Sequence, residues 1–378
     1  MTSDMIAIGA FHAVERGIIV VCAAGNYGPE KSTIVNDAPW ILTVAATTID
    51  CDLQSNVVMG TNKVIKVLFL LQLLKTIYII DRAINFSPLS KSADYPMIYG
   101  EAAKTTTADS DEASERKYCR FVCVDGINDD LSIGVIITIV QALGGLGLVR
   151  ITDQIGAEAE YYGDFPATVV RTKHAATILQ YINSTSNPVA TILPTSIVID
   201  YKPAPIVATF SSRGPSSLSK NILKPDVAAP GINILAAWIG NDHLTDVPKG
   251  KKPSPYIFES GTSMACPHVS RLAASIKSEN PTWSPSAIRS AIITSATQFN
   301  NMKAPITRDL GSVATPYDYG AGGITTIQPF QPGLVYETTT LDYFNYLCYI
   351  GLNSQKVAKQ VFLDQLLGVM VNIVFEVL

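Results

Sequence analysis

The sequence predicts an α/β fold, a mostly parallel sheet flanked by helices, with a mostly β unit inserted into it. Three observations carry this. Near the N-terminus, apolar residues at helical spacing run into an unbroken apolar stretch and then a glycine turn, as when a helix feeds a buried parallel strand. A second α/β stretch begins near Pro205. Between the two, residues 95–200 hold short apolar runs broken by Gly and Pro, the mark of a strand-rich unit. The implied organisation is an N-terminal α/β part over 1–94, the inserted unit over 95–200, a second α/β part over 201–335 and a tail over 336–378.

Taken in order, Ala7, Ala10, Phe11 and Val14 fall on one helix face, so a helix is expected over 4–16, with Gly17 ending it. Ile18 to Cys22 (IIVVC) suits a strand buried on both faces, and AAGNYGP forms the turn at its C-terminal end. Open α/β sheets place their chemistry at that edge. In the middle region RFVCVDG and ATVV suit strands, 133–142 a helix, and LGGLGLVRI a turn then a strand. Pro225 to Gly231 (PDVAAPG) reads as a loop and Ile232 to Trp238 as a short strand or turn. A helix follows from Ala265 to about Glu279, and another from about Ser284 to Ser295, with Ser284 as N-cap and Pro285 at the first helical position. The run from Val64 to Ile80 is apolar, but Lys66, Gln72 and Lys75 interrupt it and its charge-free core is too short to span a bilayer. The run from Leu366 to Leu378 is also too short, so no membrane partner is expected.

The 378 residues suffice for two or three domains at roughly 150 residues each. With 47% hydrophobic and 16% charged residues, the chain can bury a sizeable core, which excludes whole-chain disorder. Lys and Arg total 28 against 32 Asp and Glu, giving 28 − 32 = −4, so no basic excess points to nucleic acid. The six cysteines (Cys22, Cys51, Cys119, Cys123, Cys266, Cys348) are too few for a disulfide scaffold. Cys119 and Cys123 lack a second pair to complete a zinc site, and no cofactor motif is present.

The sharpest chemical signal is Gly261-Thr262-Ser263-Met264-Ala265-Cys266-Pro267-His268-Val269. Its serine sits between a glycine turn and a helix start, where free N–H groups stabilise developing negative charge. A lone serine there is ordinarily just a cap. The whole string, however, resembles the nucleophile motif of subtilisin-like serine proteases (subtilases), and the resemblance implies Ser263 as nucleophile. Ala23-Ala24-Gly25-Asn26 resembles the subtilase segment whose Asn donates to the oxyanion, which implies that role for Asn26 with the Ser263 N–H as partner. Residues 203–216, 223–238 and 280–296 resemble the plant branch of subtilases. That branch carries a protease-associated domain between its catalytic His and Ser, and 95–200 matches that insert. The likeness covers most of 4–65 and 82–350.

The resemblance implies an endopeptidase acting on protein or peptide substrates by acyl transfer, outside the cell in the wall or apoplast, with no metal at the reaction centre. It leaves open pairing of two copies through the inserted domain. Asp226 is read as a residue of a structural loop, and His268 as a support of the helix rather than a base. Subtilases hold their catalytic Asp in a D-[TS]-G segment and their His in an HGTH segment, both before the oxyanion Asn. The 25 residues ahead of Asn26 contain neither, and none of His12, His174, His243 and His268 has that context. This chain by itself is therefore expected to be nearly inactive. Loss of the subtilisin triad costs on the order of 10⁶ in turnover, a figure taken from a subtilisin itself, with roughly 10³–10⁴ over water surviving. The alternative is a truncated, inactive pseudoprotease or peptide-binding fragment.

Three further departures stand out. Arg271 occupies a position where the family has Gly, so it must find water or shift the helix bearing Ser263. The apolar run over 66–81 has no family counterpart and reads as translated intron. The family's signal peptide, propeptide and C-terminal β-sandwich are not seen; MTSDMIAIGAFHAVERG lacks a basic n-region and a cleavage site. Two sequons, Asn85-Phe86-Ser87 and Asn183-Ser184-Thr185, are acceptors for glycan in a secreted chain.

Overall fold

The structure, a computed structural model, describes residues 4–60, 77–79, 83–92, 94–99, 121–126, 133–152, 160–163, 165–216, 219–239, 255–309 and 311–351. The chain divides into two compact units, one formed by Met1–Ile49, Pro203–Ile234 and Ser260–Leu378, the other by Asp50–Lys202 and Leu235–Glu259. Most of the predicted 66–81 run lies outside the described residues, as do His243 and the tail beyond 351.

The first unit opens with helix α1 (Met5–Glu15), whose N-cap Asp4 accepts from the Ile6 and Ala7 N–H groups. Ala7, Ala10 and Phe11 are buried as their spacing predicts. They meet Trp40, whose indole N–H donates to the Ala7 carbonyl at 2.8 Å, and helix α6 (Thr340–Tyr349), which contributes Tyr343 and Leu347. Phe11 stands edge-on to Trp40 at 5.1 Å and to Phe344 at 5.3 Å, an arrangement aromatic quadrupoles favour.

The sheet of this unit runs β1 (Val21–Ala23), β2 (Leu42–Thr47), β14 (Ile206–Val207), β18 (Thr307–Arg308), with β15 (Val227–Pro230) also paired to β2. β1 and β15 run parallel to β2, whereas β14 is antiparallel to it. All six residues of β2 are buried, and their small size (LTVAAT) lets helix α4 (Thr262–Glu279) lie close. Helix α4 buries Ala265, Val269, Leu272, Ala273 and Ile276 on one stripe and packs on β1, β2 and β15. Helix α5 (Pro285–Thr294) follows, capped by Ser284, which accepts from Ala287 N–H at 3.0 Å.

Three sequence expectations need correction. The stretch 225–231, expected as a loop, holds strand β15, whose residues Val227–Pro230 pair parallel with β2. The apolar run at 18–22 is not a doubly buried strand: only Val21–Ala23 is extended, all three half-buried, and Ile18 is 59% exposed. Among the described strands β1 pairs with β2 alone. Arg271 does not disturb α4; it is exposed, away from the buried stripe, and takes the water route.

The second unit is strand-rich. A seven-stranded sheet runs β11 (Ala167–Val170), β9 (Gly145–Ile151), β8 (Phe121–Gly126), β7 (Tyr95–Tyr99), β12 (Val189–Ile192), β4 (Val57–Met59), β5 (Ile77–Ile79). β7, β8, β9 and β11 are parallel neighbours, and β12 is antiparallel to β7 and β4. Helix α2 (Ile133–Ala142) buries Ile136 and Val140, and α3 (Thr172–Ser184) buries Ile178. Smaller pairs join β3 (Asp52–Gln54) to β13 (Ser196–Val198), β6 (Ala83–Asn85) to β10 (Glu160–Gly163), and β16 (Ile234–Ala237) to β17 (Tyr256–Glu259). No helix among the described residues is long and apolar enough to cross a membrane.

Two buried carboxylates stitch the first unit together. Asp318 is 1% exposed and pairs with Arg308 at 2.9 Å and Arg213 at 3.2 Å, while accepting from Thr315. Asp226 meets Lys224 at 2.6 Å and Arg289 at 3.2 Å. Burial pushes both carboxyls up, but the cations and N–H donors win and hold both below the ordinary 3.8. A carboxyl depressed in the fold contributes stability that is full above its unfolded pKa and is lost as pH falls through its folded one. Thermal melts should therefore hold steady down to about pH 4 and fall more steeply below it. Asp318→Asn should start from a lower Tm and flatten that acid limb; an unchanged acid slope would show that Asp318 is not a source of it.

Candidate active site

Ser263 lies in the first turn of α4, whose N-cap is Gly261. The first N–H groups of a helix have no partner within it. Here the Thr262 N–H donates to Asn26 Oδ1 at 3.0 Å, while Met264 and Ala265 N–H share the Gly261 carbonyl. Among the described residues no acceptor sits on the Ser263 N–H. Ser263 itself is exposed.

Asn26 comes from the loop after β1, 237 positions before Ser263. A backbone N–H only donates, so the Asn26 atom facing Thr262 must be the carbonyl oxygen. It also accepts from the Thr262 hydroxyl at 2.8 Å. The amide NH₂ therefore turns the other way. A Cβ on Gly261 would sit 3.3 Å from Asn26 Nδ2 and 3.6 Å from Ser263 N, so both nitrogens border one place beside the helix start. Two donors around one spot, beside an exposed hydroxyl, can bind an oxyanion.

Neighbouring segments fix the Asn26 loop. Gly25 has φ +101°, and a Cβ there would meet Ser212 Oγ at 2.8 Å. Ser212 Oγ accepts from Tyr27 N–H at 3.0 Å, and Ser212 N–H donates to the Gly25 carbonyl at 2.9 Å. At Gly28 an added Cβ would lie 2.3 Å from the Ser211 carbonyl. The start of α4 is tied from below, since Gly261 N–H donates to the Gly231 carbonyl at 2.8 Å. Gly231 leaves no room for a Cβ, which would stand 2.7 Å from that of Ala46. Thr262 and Ser212 are thus positioning residues that the sequence reading passed over. Thr262 stood inside the quoted nucleophile string, and Ser212 in FSSRGP of the 203–216 segment.

Pro267 lacks an N–H, so the Ser263 carbonyl has no donor four residues on. His268 lies one turn further, with Nδ1 2.8 Å from the Met264 carbonyl, bound to the helix rather than aimed at a reacting group. Asp226 and its cations are part of the buried framework, not of the serine's surroundings. His12 pairs with Glu15 on α1. Among the described residues none hydrogen-bonds the Ser263 hydroxyl, and no group of three or more His, Cys, Asp or Glu is placed to hold a metal ion.

A sequence model described as the subtilase family matches residues 2–322. Among characterised proteins of Arabidopsis thaliana, one named CO(2)-response secreted protease is 51% identical over 93% of this chain and 45% of its own length. Two named subtilisin-like proteases are 41% and 38% identical over 95% and 94% of this chain, each covered over 46% of its length. The chain thus spans a little under half of these relatives.

Proposed function

This chain belongs to the subtilase family, a family of serine-type peptidases, and we propose that it supplies the nucleophile and the oxyanion donors of a secreted plant endopeptidase. Ser263 Oγ attacks the substrate carbonyl carbon, whose oxygen takes up negative charge between Ser263 N–H and Asn26 Nδ2. Collapse expels the amine half of the peptide and leaves an acyl-serine, which water then hydrolyses. The step needs an imidazole that takes the serine proton and passes it to the departing amine; on this reading it comes from a longer protein of which this chain is a part. The observation that carries the reading is the Asn26 amide, held oxygen-inward by Thr262 and so nitrogen-outward beside Ser263 N. The substrates are proteins or peptides, and the name of the 51% identical relative supports an extracellular setting.

A second reading treats this chain on its own as non-catalytic. It is favoured by the lack, among the described residues, of a hydrogen-bonding base on Ser263 Oγ.

One experiment separates them. The transcript containing this chain is sequenced upstream, and both its product and this chain alone are exposed to a fluorophosphonate probe and an unfolded protein substrate. The longer product should be labelled at Ser263 and cleave substrate, its Ser263→Ala variant should do neither, and this chain alone should stay unlabelled. Labelling of the longer product at another serine overturns the assignment. A longer product that folds but neither labels nor cleaves leaves the non-catalytic reading.

A further inference from the structure

We propose that Asn183, at the end of helix α3, carries an N-linked glycan when the protein passes through the secretory pathway. The sequon Asn183-Ser184-Thr185 lies where α3 stops: Ser184 is its last residue, and Thr185 is already extended at φ −113°, ψ 124°. Helix α3 is held to its sheet by Ile178, fully buried, with Tyr181 and Ile182 packed beside it. The opposite face, through Ala176, Gln180, Asn183 and Ser184, is exposed, and Ser186 and Asn187 beyond it are exposed too. A bulky hydrated group at Asn183 therefore grows into water without displacing a packed side chain.

The second sequon offers a different setting. Asn85 ends strand β6, in register with Gly163 of β10, and Ser87 is 8% exposed with its hydroxyl donating to the Ile192 carbonyl at 2.7 Å. The acceptor segment there is built into the fold, whereas that of Asn183 ends a helix in solvent.

In the reaction the Asn183 amide nitrogen bonds the anomeric carbon of a lipid-diphosphate-linked oligosaccharide. The nitrogen gives up a proton, the sugar–phosphate C–O bond breaks, and the lipid diphosphate leaves. A glycan there also reserves the outer face of α3 for solvent, so pairing of two copies through this unit cannot use it. The inference rests on secretion, not on catalysis, so a failed protease assay leaves it standing.

The test is peptide mapping of the full protein secreted from plant cells, treated with a glycan-releasing amidase in ¹⁸O water. The Asn183 peptide should take up the isotope, and Asn183→Gln should lose one glycan's mobility shift. Thr185→Ala should lose the same shift and Thr185→Ser should keep it, because the serine preserves the sequon. Asn85→Gln should leave the shift in place. An unlabelled Asn183 peptide from the secreted protein, or a shift lost only with Asn85→Gln, overturns the proposal. So does a protein that never enters the secretory pathway.

Discussion

In the active endopeptidase proposed above, Asn26→Asp should lower kcat by at least about 10³ while leaving the melting temperature close to that of the parent. The two halves of the Asn26 amide do different work. Its oxygen accepts from Thr262 N–H and the Thr262 hydroxyl, and a carboxylate keeps that acceptor. Its nitrogen faces the place beside Ser263 N, and there Asp substitutes an acceptor with negative charge for a donor. Two like charges about 4 Å apart near a protein surface repel by roughly 4 kcal/mol. At 1.36 kcal/mol per decade that is about three decades, before the lost hydrogen bond is counted. In subtilisin itself, loss of the oxyanion asparagine costs about 10²–10³ in kcat. Asn26→Ala should show the opposite balance. It removes donor and acceptor together and leaves the N–H of Thr262, a residue only 1% exposed, unpaired. That costs about 1–3 kcal/mol of stability, with a smaller loss of rate than the aspartate. Paired kcat and Tm measurements decide the matter. If Asp and Ala lose equal rate, the nitrogen does not face the reacting oxygen.

What was readable beforehand follows the range of each interaction. Local signals held: the helix face of Ala7, Ala10 and Phe11, the Ser284 cap with Pro285, and the helix after Gly261 all lie where their spacing puts them. Each depends on residues within a turn or two. The extent and burial of the strand at 18–22 are not legible in the spacing, because burial on both faces needs neighbours on both sides and spacing does not count neighbours. Ser263 and Asn26 are joined through Thr262, 236 positions from Asn26, and only the family likeness bridged that gap. Thr262 and Ser212 carry no sequence signal, because a buried hydroxyl holding a loop looks, in sequence, like any serine or threonine. In sequence Asp226 looks like an ordinary loop residue. Its cations, Lys224 and Arg289, gave no sign that they were buried with it, since lysine is ordinarily a surface residue.

That buried lysine carries the largest expected loss of stability. Lys224 is fully buried, and its ammonium donates to the Ile41 carbonyl at 2.7 Å, Thr43 Oγ1 at 3.0 Å and Asp226 Oδ2 at 2.6 Å, which uses all three of its N–H bonds. Two of these acceptors sit at the start of β2, and Asp226 immediately precedes β15, so the lysine locks together the strands on which α4 rests. Lys224→Met keeps the aliphatic length but leaves a buried carboxylate, a carbonyl and a hydroxyl short of a donor. Arg289 at 3.2 Å and Thr43 N–H at 2.7 Å still hold Asp226, so the loss should be about 3–5 kcal/mol rather than complete unfolding. Lys224→Arg should not restore it, because a planar guanidinium is too large for a site shaped to an ammonium. A pH signature separates charge from shape. Burial pulls the Lys224 pKa from 10.5 down to about 8, against the pull of Asp226. Between those values the unfolded chain holds the proton that the folded one has released, so this group's contribution to stability rises with pH across that window. Urea titrations at pH 7 and pH 10 should show the gap between parent and Lys224→Met widening at the higher pH. A gap that stays constant would assign the loss to packing alone.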